Sequence, residues 1–150
     1  MAAFIVVDAS IAGAWLFAEP YSVNAQLILA AIDARRVIAL APDRFAEELL
    51  RVCQKKTLPL PVGAAITSSD AWLRFLDVVT SPIELLNSDE LHERAWQMAF
   101  GARLTTHDAL YLALAERWGA ELWTLDDLLA VRGTSVYPAV YDLRTTAFPY

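Results

Sequence analysis

Short apolar runs that stop on a carboxylate constrain this chain most. Phe4-Ile5-Val6-Val7 leads into Asp8, and Leu122-Trp123-Thr124 leads through Leu125 into Asp126 and Asp127. Both runs are too short for a helix and have no polar alternation, so each reads as a strand covered on both faces. Val37 to Ala41 reads as a second strand and Ile83 to Leu86 as a short one, and Gly133 to Val140 reads as a final edge strand. Helical patterns fill the intervals: Ile11 to Phe17, Val23 to Ala34, Asp43 to Lys56, Ala64 to Leu76, Ser88 to Phe100, Ala109 to Trp118 and a short helix at Asp127 to Ala130. Strands alternating with helices of this length require crossover connections. The expectation is a single α/β domain over residues 1–150, with a central parallel sheet covered on both faces.

Several local signals refine that outline. In Val23 to Ala34 the apolar residues Val23, Leu27, Ala30, Ala31 and Ala34 recur at three- and four-residue steps, which predicts the buried face. Pro42 suits the first turn of the helix that follows it. Thr57 to Gly63, with two prolines, is a turn, and Gly119 is placed to close the helix ending at Trp118.

Composition narrows the classes. A hydrophobic fraction of 57% and mean hydropathy of +0.37 are high for a globular chain, implying a large core and an apolar surface kept for a partner. Every apolar stretch is broken before the roughly 18 residues of a membrane span, so no membrane partner is expected. Met1-Ala2-Ala3 lacks a basic leader and runs straight into the first strand, so the expected location is cytoplasmic. Cys53, the only cysteine, reads as a small apolar helix residue rather than a metal ligand. The net charge of −6 argues against gripping nucleic acid over the whole surface, unless converging acids supply part of it and bound cations reverse the local field.

In open parallel sheets ligands bind beyond the carboxyl ends of the strands, which would bring Asp8 and Asp126 to one crevice. Four acids at or near the ends of apolar runs, Asp8, Glu48, Asp108 and Asp126, form the candidate site. Each has a structural alternative. Asp8 could cap the helix near Ile11, and Asp108 could be a first-turn acid behind Thr105 or Thr106. Glu47 neighbours Asp43, Arg44 and Arg51 on a solvated face, whereas Glu48 neighbours Phe45 and Val52 beside the apolar face, so Glu48 is preferred. Asp126 lies nearer the strand end, while Asp127 reads as a helix-start acid. Carboxylates of this number suit Mg²⁺ or Mn²⁺, which take oxygen ligands and can activate water at phosphorus. Ser10 and Thr124 are candidates to hydrogen-bond a ligand carboxylate or phosphate, with caps and turns as the alternative. His107 reads as polar surface, with a ligand or base role as its alternative.

Val6-Val7-Asp8-Ala9-Ser10-Ile11, Pro42 through Glu48, Thr106-His107-Asp108-Ala109-Leu110-Tyr111-Leu112-Ala113-Leu114-Ala115 and Leu122-Trp123-Thr124-Leu125-Asp126 together resemble the PIN-domain ribonucleases, particularly the VapC-type toxins. The resemblance covers almost the whole chain. It implies a three-layer α/β/α fold, a Mg²⁺- or Mn²⁺-dependent endoribonuclease acting on single-stranded RNA, a homodimer and a cognate antitoxin. The family's acidic quartet falls on Asp8, Glu48, Asp108 and Asp126, as catalytic and metal-holding residues. Arg51 stands where that family often has Asn, and His107 where it usually has another residue. A partner-binding domain of the same fold without catalysis is the competing expectation.

Overall fold

A computed structural model describes residues 1–150. Five strands, β1 (Ala3–Val7), β2 (Val37–Pro42), β3 (Ile83–Leu86), β4 (Glu121–Thr124) and β5 (Val140–Asp142), form one sheet in the order β3-β2-β1-β4-β5. All neighbours are parallel, with Ala3 opposite Val37, Ile5 opposite Glu121, Ala39 opposite Ile83 and Leu122 opposite Val140. Ile5, Val6 and Val7 are fully buried, as a central strand covered on both faces must be.

Seven helices complete the fold: α1 (Ala9–Leu16), α2 (Ser22–Asp33), α3 (Phe45–Lys56), α4 (Ser68–Val79), α5 (His92–Ala102), α6 (Thr106–Trp118) and α7 (Asp127–Gly133). The chain builds β1, β2 and β3 outward in one direction, then returns across the sheet to add β4 and β5 on the other side of β1. Right-handed crossovers therefore put α1–α4 on one face and α5–α7 on the other, giving three layers. The reversal of direction makes β1 and β4 the switch point, where a crevice opens beyond the strand ends. One cluster of 38 buried residues spans both layers, and α6 contributes seven consecutive buried residues, Ala109 to Ala115. No helix is long and apolar enough to cross a membrane.

The single α/β domain and its parallel sheet match the sequence expectation, and four local assignments need correction. On α2 the buried stripe is Ala25, Ile28, Ala31 and Ile32, while Val23 and Leu27 face outward. Two apolar stripes compete there; Trp15 Nε1–H donates to the Ala25 carbonyl at 2.7 Å and fastens that side inward. Pro42 ends β2 opposite Leu86 rather than opening α3. Helix α4 starts four residues later than expected, because the Thr67 side chain caps it by accepting the Asp70 N–H. Gly133 belongs to α7, and β5 shrinks to three residues. An added Cβ at Gly133 would lie 3.1 Å from Leu112, so glycine lets this helix end press on α6.

Gly119 closes α6 in the left-handed region at φ +59°, with open space around its missing Cβ. Gly119→Ala meets no clash, only the backbone penalty, so urea unfolding should show a loss of about 1–2 kcal/mol. No measurable loss would mean that the helix end re-forms without the left-handed residue.

Candidate active site

Asp8 follows β1 and is buried under the crevice, and both its oxygens are engaged. Oδ1 accepts from the Ser10 hydroxyl at 2.5 Å and from the Ile11 N–H at 3.3 Å; Oδ2 accepts from the Thr124 hydroxyl at 2.5 Å. Those hydroxyls are themselves oriented, because Ser10 Oγ accepts the Leu125 N–H at 3.0 Å and Thr124 Oγ1 accepts the Asp126 N–H at 2.9 Å. Each hydroxyl thus turns its one proton toward Asp8, giving short bonds of the length expected for a charged acceptor. Ser10 and Thr124 position Asp8 and tie the end of β1 to the end of β4. Burial pushes the Asp8 carboxyl up to about 6, against the lowering effect of these donors, and the charge of Asp126 pushes the same way.

Asp126 begins α7, its side chain accepting the Leu129 N–H at 2.9 Å, and its charge reaches both Asp8 and Asp108. Asp127 points elsewhere: it pairs with Arg144, which also holds Asp142. Asp108 lies one turn into α6. Thr105 caps that helix, taking the Asp108 N–H at 3.1 Å and donating to Asp108 Oδ2 at 2.8 Å. Burial raises the Asp108 carboxyl, which Thr105 partly offsets, and the Asp126 charge raises it further.

Glu48 projects from α3, whose sequence puts Phe45, Leu49 and Cys53 into the core and leaves Glu48 at the border of that face. Its Oε2 accepts from the Tyr111 hydroxyl at 3.1 Å. Its Oε1 is buried without a hydrogen-bond partner; His107 Nδ1 stands 3.4 Å away but outside bonding geometry. Burial raises the Glu48 carboxyl, Tyr111 and His107 partly offset this, and the charge of Asp108 adds to the rise. Glu47 instead lines a separate depression between α3 and α4 with Leu50, Arg51 and Trp72. Tyr111 was not singled out by sequence reasoning. Its spacing of three from Asp108 puts both on one face of α6, which is the signal that could have found it. It is almost fully buried, and burial together with the Glu48 charge keeps its hydroxyl protonated as a donor.

The four acids therefore share one edge of the sheet and lie in one another's fields. They do not form a closed cage: no three His, Cys, Asp or Glu side chains lie close enough to hold one ion. Separate anchors keep them apart, since Asp8 caps α1, Asp126 caps α7 and Asp108 is tied to Thr105. The donors still fit a hard divalent cation. All are oxygens, Glu48 Oε1 is buried and makes no hydrogen bond, and Asp8 Oδ2 accepts one bond and has a second lone pair free. Mg²⁺ keeps several waters and needs few direct carboxylates, so a closed cage is not required. Asp8, Glu48, Asp108 and Asp126 are the carboxylates such an ion could meet, singly or through its waters.

Comparison with solved structures shows the same fold in PAE2754 from Pyrobaculum aerophilum, at 23% identity and TM-score 0.67, covering 96% of this chain and 85% of that one. The sarcin-ricin-loop-cleaving toxin VapC20 of Mycobacterium tuberculosis matches at 14% identity and TM-score 0.65, covering 86% of this chain and 95% of that one. A toxin–antitoxin complex from Klebsiella pneumoniae matches at 16% identity and TM-score 0.62, covering 96% and 99%. No curated protein sequence matches. The sequence model of the PIN domain matches residues 5–132, a span from β1 through α7 that takes in both strands framing the crevice and all four acids, and on that match the chain belongs to the PIN-domain family.

Proposed function

We propose that this chain is a metal-dependent endoribonuclease that hydrolyses single-stranded RNA and acts as the toxin of a toxin–antitoxin pair. The observation that carries the reading is the Glu48 carboxylate, whose buried Oε1 makes no hydrogen bond, with His107 Nδ1 3.4 Å away outside bonding geometry and the charge of Asp108 within reach. Leaving such a group unsatisfied is costly unless a cation completes it. Mg²⁺ or Mn²⁺ held there would lower the pKa of a bound water and neutralise charge at phosphorus. The chain's own groups prepare that state. Ser10 and Thr124 hold Asp8 in one orientation, Tyr111 holds Glu48, and Thr105 holds Asp108. With its pKa near 6, Asp8 is mostly ionised at neutral pH and available as a ligand. The site's acids supply part of the net charge of −6, so the acidity that opposes polyanion binding is concentrated where cations would reverse it.

Family membership supports the nuclease reading, and similarity to a toxin and to a toxin–antitoxin complex supports an antitoxin as partner. A helix of that partner would fit the apolar cavity of about 620 Å³ between α3 and α4, bordered by Leu50 and Trp72. A homodimer and a cytoplasmic site of action belong to the same proposal.

A second reading has its own observation: Asp8 and Asp126 do cap helices, as a non-catalytic partner-binding domain would use them. Capping does not account for Glu48, which caps nothing. The experiment is incubation of purified protein with mixed structured RNAs in Mg²⁺, Mn²⁺ or EDTA, with mapping of the ends. Cuts confined to unpaired segments and absent in EDTA are expected. Intact RNA under every condition would leave the partner-binding domain as the better description.

A further inference from the structure

Beside the acidic crevice lies a cavity of about 220 Å³ between the start of α3, the start of α6 and α5. Its lining includes Arg44, Trp96, Thr106 and both histidines of the chain, His92 and His107. It borders the acids through His107, whose Nδ1 lies 3.4 Å from Glu48 Oε1. The fold does not consume Arg44 or Trp96. Arg44 is exposed and enters no salt bridge, although the chain is acidic overall. Trp96 is 59% exposed and is braced by Phe100 at 4.7 Å between ring centroids, leaving indole surface toward solvent.

We propose that this cavity is a nucleotide subsite for the substrate strand, in which one base stacks on Trp96 and the adjacent phosphate is held by Arg44. The inference rests on the ribonuclease reading and names the groups that would place the strand beside the acids. An indole face accepts any base, and a guanidinium accepts a phosphate through two parallel N–H donors. Such a combination grips a single strand without reading its sequence. It also answers an electrostatic problem, because a cluster of carboxylates repels the backbone it must cut, and an uncompensated cation one helical turn before Glu48 offsets that repulsion. The imidazoles of His92 and His107 add polar contacts along the same wall. Trp96, Arg44 and the histidines act here as positioning residues and take no part in bond breaking.

The test uses a short fluorescein-labelled single-stranded RNA of mixed sequence, with anisotropy in EDTA at low salt for binding and Mg²⁺-dependent cleavage for kinetics. Trp96→Ala should weaken binding roughly 5- to 150-fold, the range that loss of one stacked base gives. Trp96→Phe should restore most of it, which a merely structural role would not. Arg44→Ala should lower the slope of log affinity against log salt by about 0.7, the value for one single-strand phosphate contact, whereas Trp96→Ala leaves the slope unchanged. In cleavage both changes should fall mainly on KM rather than kcat. Val23→Ala, on α2 and exposed, lies outside this cavity and should behave as wild type. Wild-type affinity, salt slope and KM in both Trp96→Ala and Arg44→Ala would overturn the subsite while leaving the nuclease intact. Conversion of a wild-type dimer to monomer by Trp96→Ala, with RNA affinity unchanged, would assign the surface to a second copy and also overturn it. A wild type that neither binds nor cuts RNA would instead remove the ribonuclease reading, and this subsite with it.

Discussion

Asp108→Asn and Asp8→Asn are each expected to reduce metal-dependent RNA cleavage by more than about 100-fold, since even groups that only orient a metal ligand are worth 10- to 100-fold. The two substitutions separate ligation from scaffolding. Thr105, not Asp108, caps α6, so Asp108→Asn removes no cap. Asp8 does cap α1, but asparagine caps about as well as aspartate. Circular dichroism should therefore stay native in both variants while the rate collapses. Glu47→Gln and Asp127→Asn serve as controls, because Glu47 lies in the α3–α4 depression and the exposed Asp127 is turned to Arg144. Initial rates on one RNA, measured across all four variants, decide the assignment. Wild-type rates in Asp8→Asn and Asp108→Asn, or equal losses in the two controls, would remove the acidic quartet as the site.

Legibility in the sequence followed the strength of the local signal. β1 and β4 could be read because covered strands of a parallel sheet are unbroken apolar runs, and Asp8 and Asp126 at their ends fixed where the crevice would open. Gly119 marked the end of α6 through chemistry that acts within one turn, whereas in the sequence its start stays open between Thr105 and Thr106. The misreadings arose where two local patterns competed and tertiary contact chose between them. On α2, Val23 with Leu27 and Ala25 with Ile28 are both apolar pairs, and tertiary packing, with the bond from Trp15 to the Ala25 carbonyl as part of it, puts the second pair inward. At the site, the acids' residue types were legible but their support was not. Tyr111 reads as one more apolar residue inside a buried helix, and its bond to Glu48 joins residues 63 positions apart. The hydroxyl ties from Ser10 and Thr124 to Asp8 likewise join the ends of two strands that only the sheet order makes neighbours.

In EDTA the protein should become more stable as pH falls from neutral to about 5, the reverse of ordinary acid denaturation. The Asp8 carboxyl titrates near 6 in the fold against an ordinary value of 3.8, so between these values the native state binds more protons than the unfolded chain. Stability must then rise as protons are added through that window, and the penalty for burying the charge is complete only above the folded value. A shift of about two units corresponds to roughly 3 kcal/mol for a group as buried as Asp8. Glu48 and Asp108 are shifted in the same direction, by burial first, and steepen the trend. Asp142, held low by Arg144, and Glu116, held low by Arg94, work oppositely, but their contribution is lost only at lower pH, as each falls through its depressed value. Urea unfolding at neutral pH and near pH 5 measures the difference. Asp8→Asn, whose amide can accept from only one of the two hydroxyls, should show a much flatter pH dependence than wild type. Millimolar Mg²⁺ should then stabilise wild type at neutral pH by mass action and Asp8→Asn much less. A wild type whose stability falls steadily from neutral pH to 5 in EDTA, and which Mg²⁺ does not stabilise, would show that Asp8 is an ordinary satisfied cap. The crevice would then hold no metal.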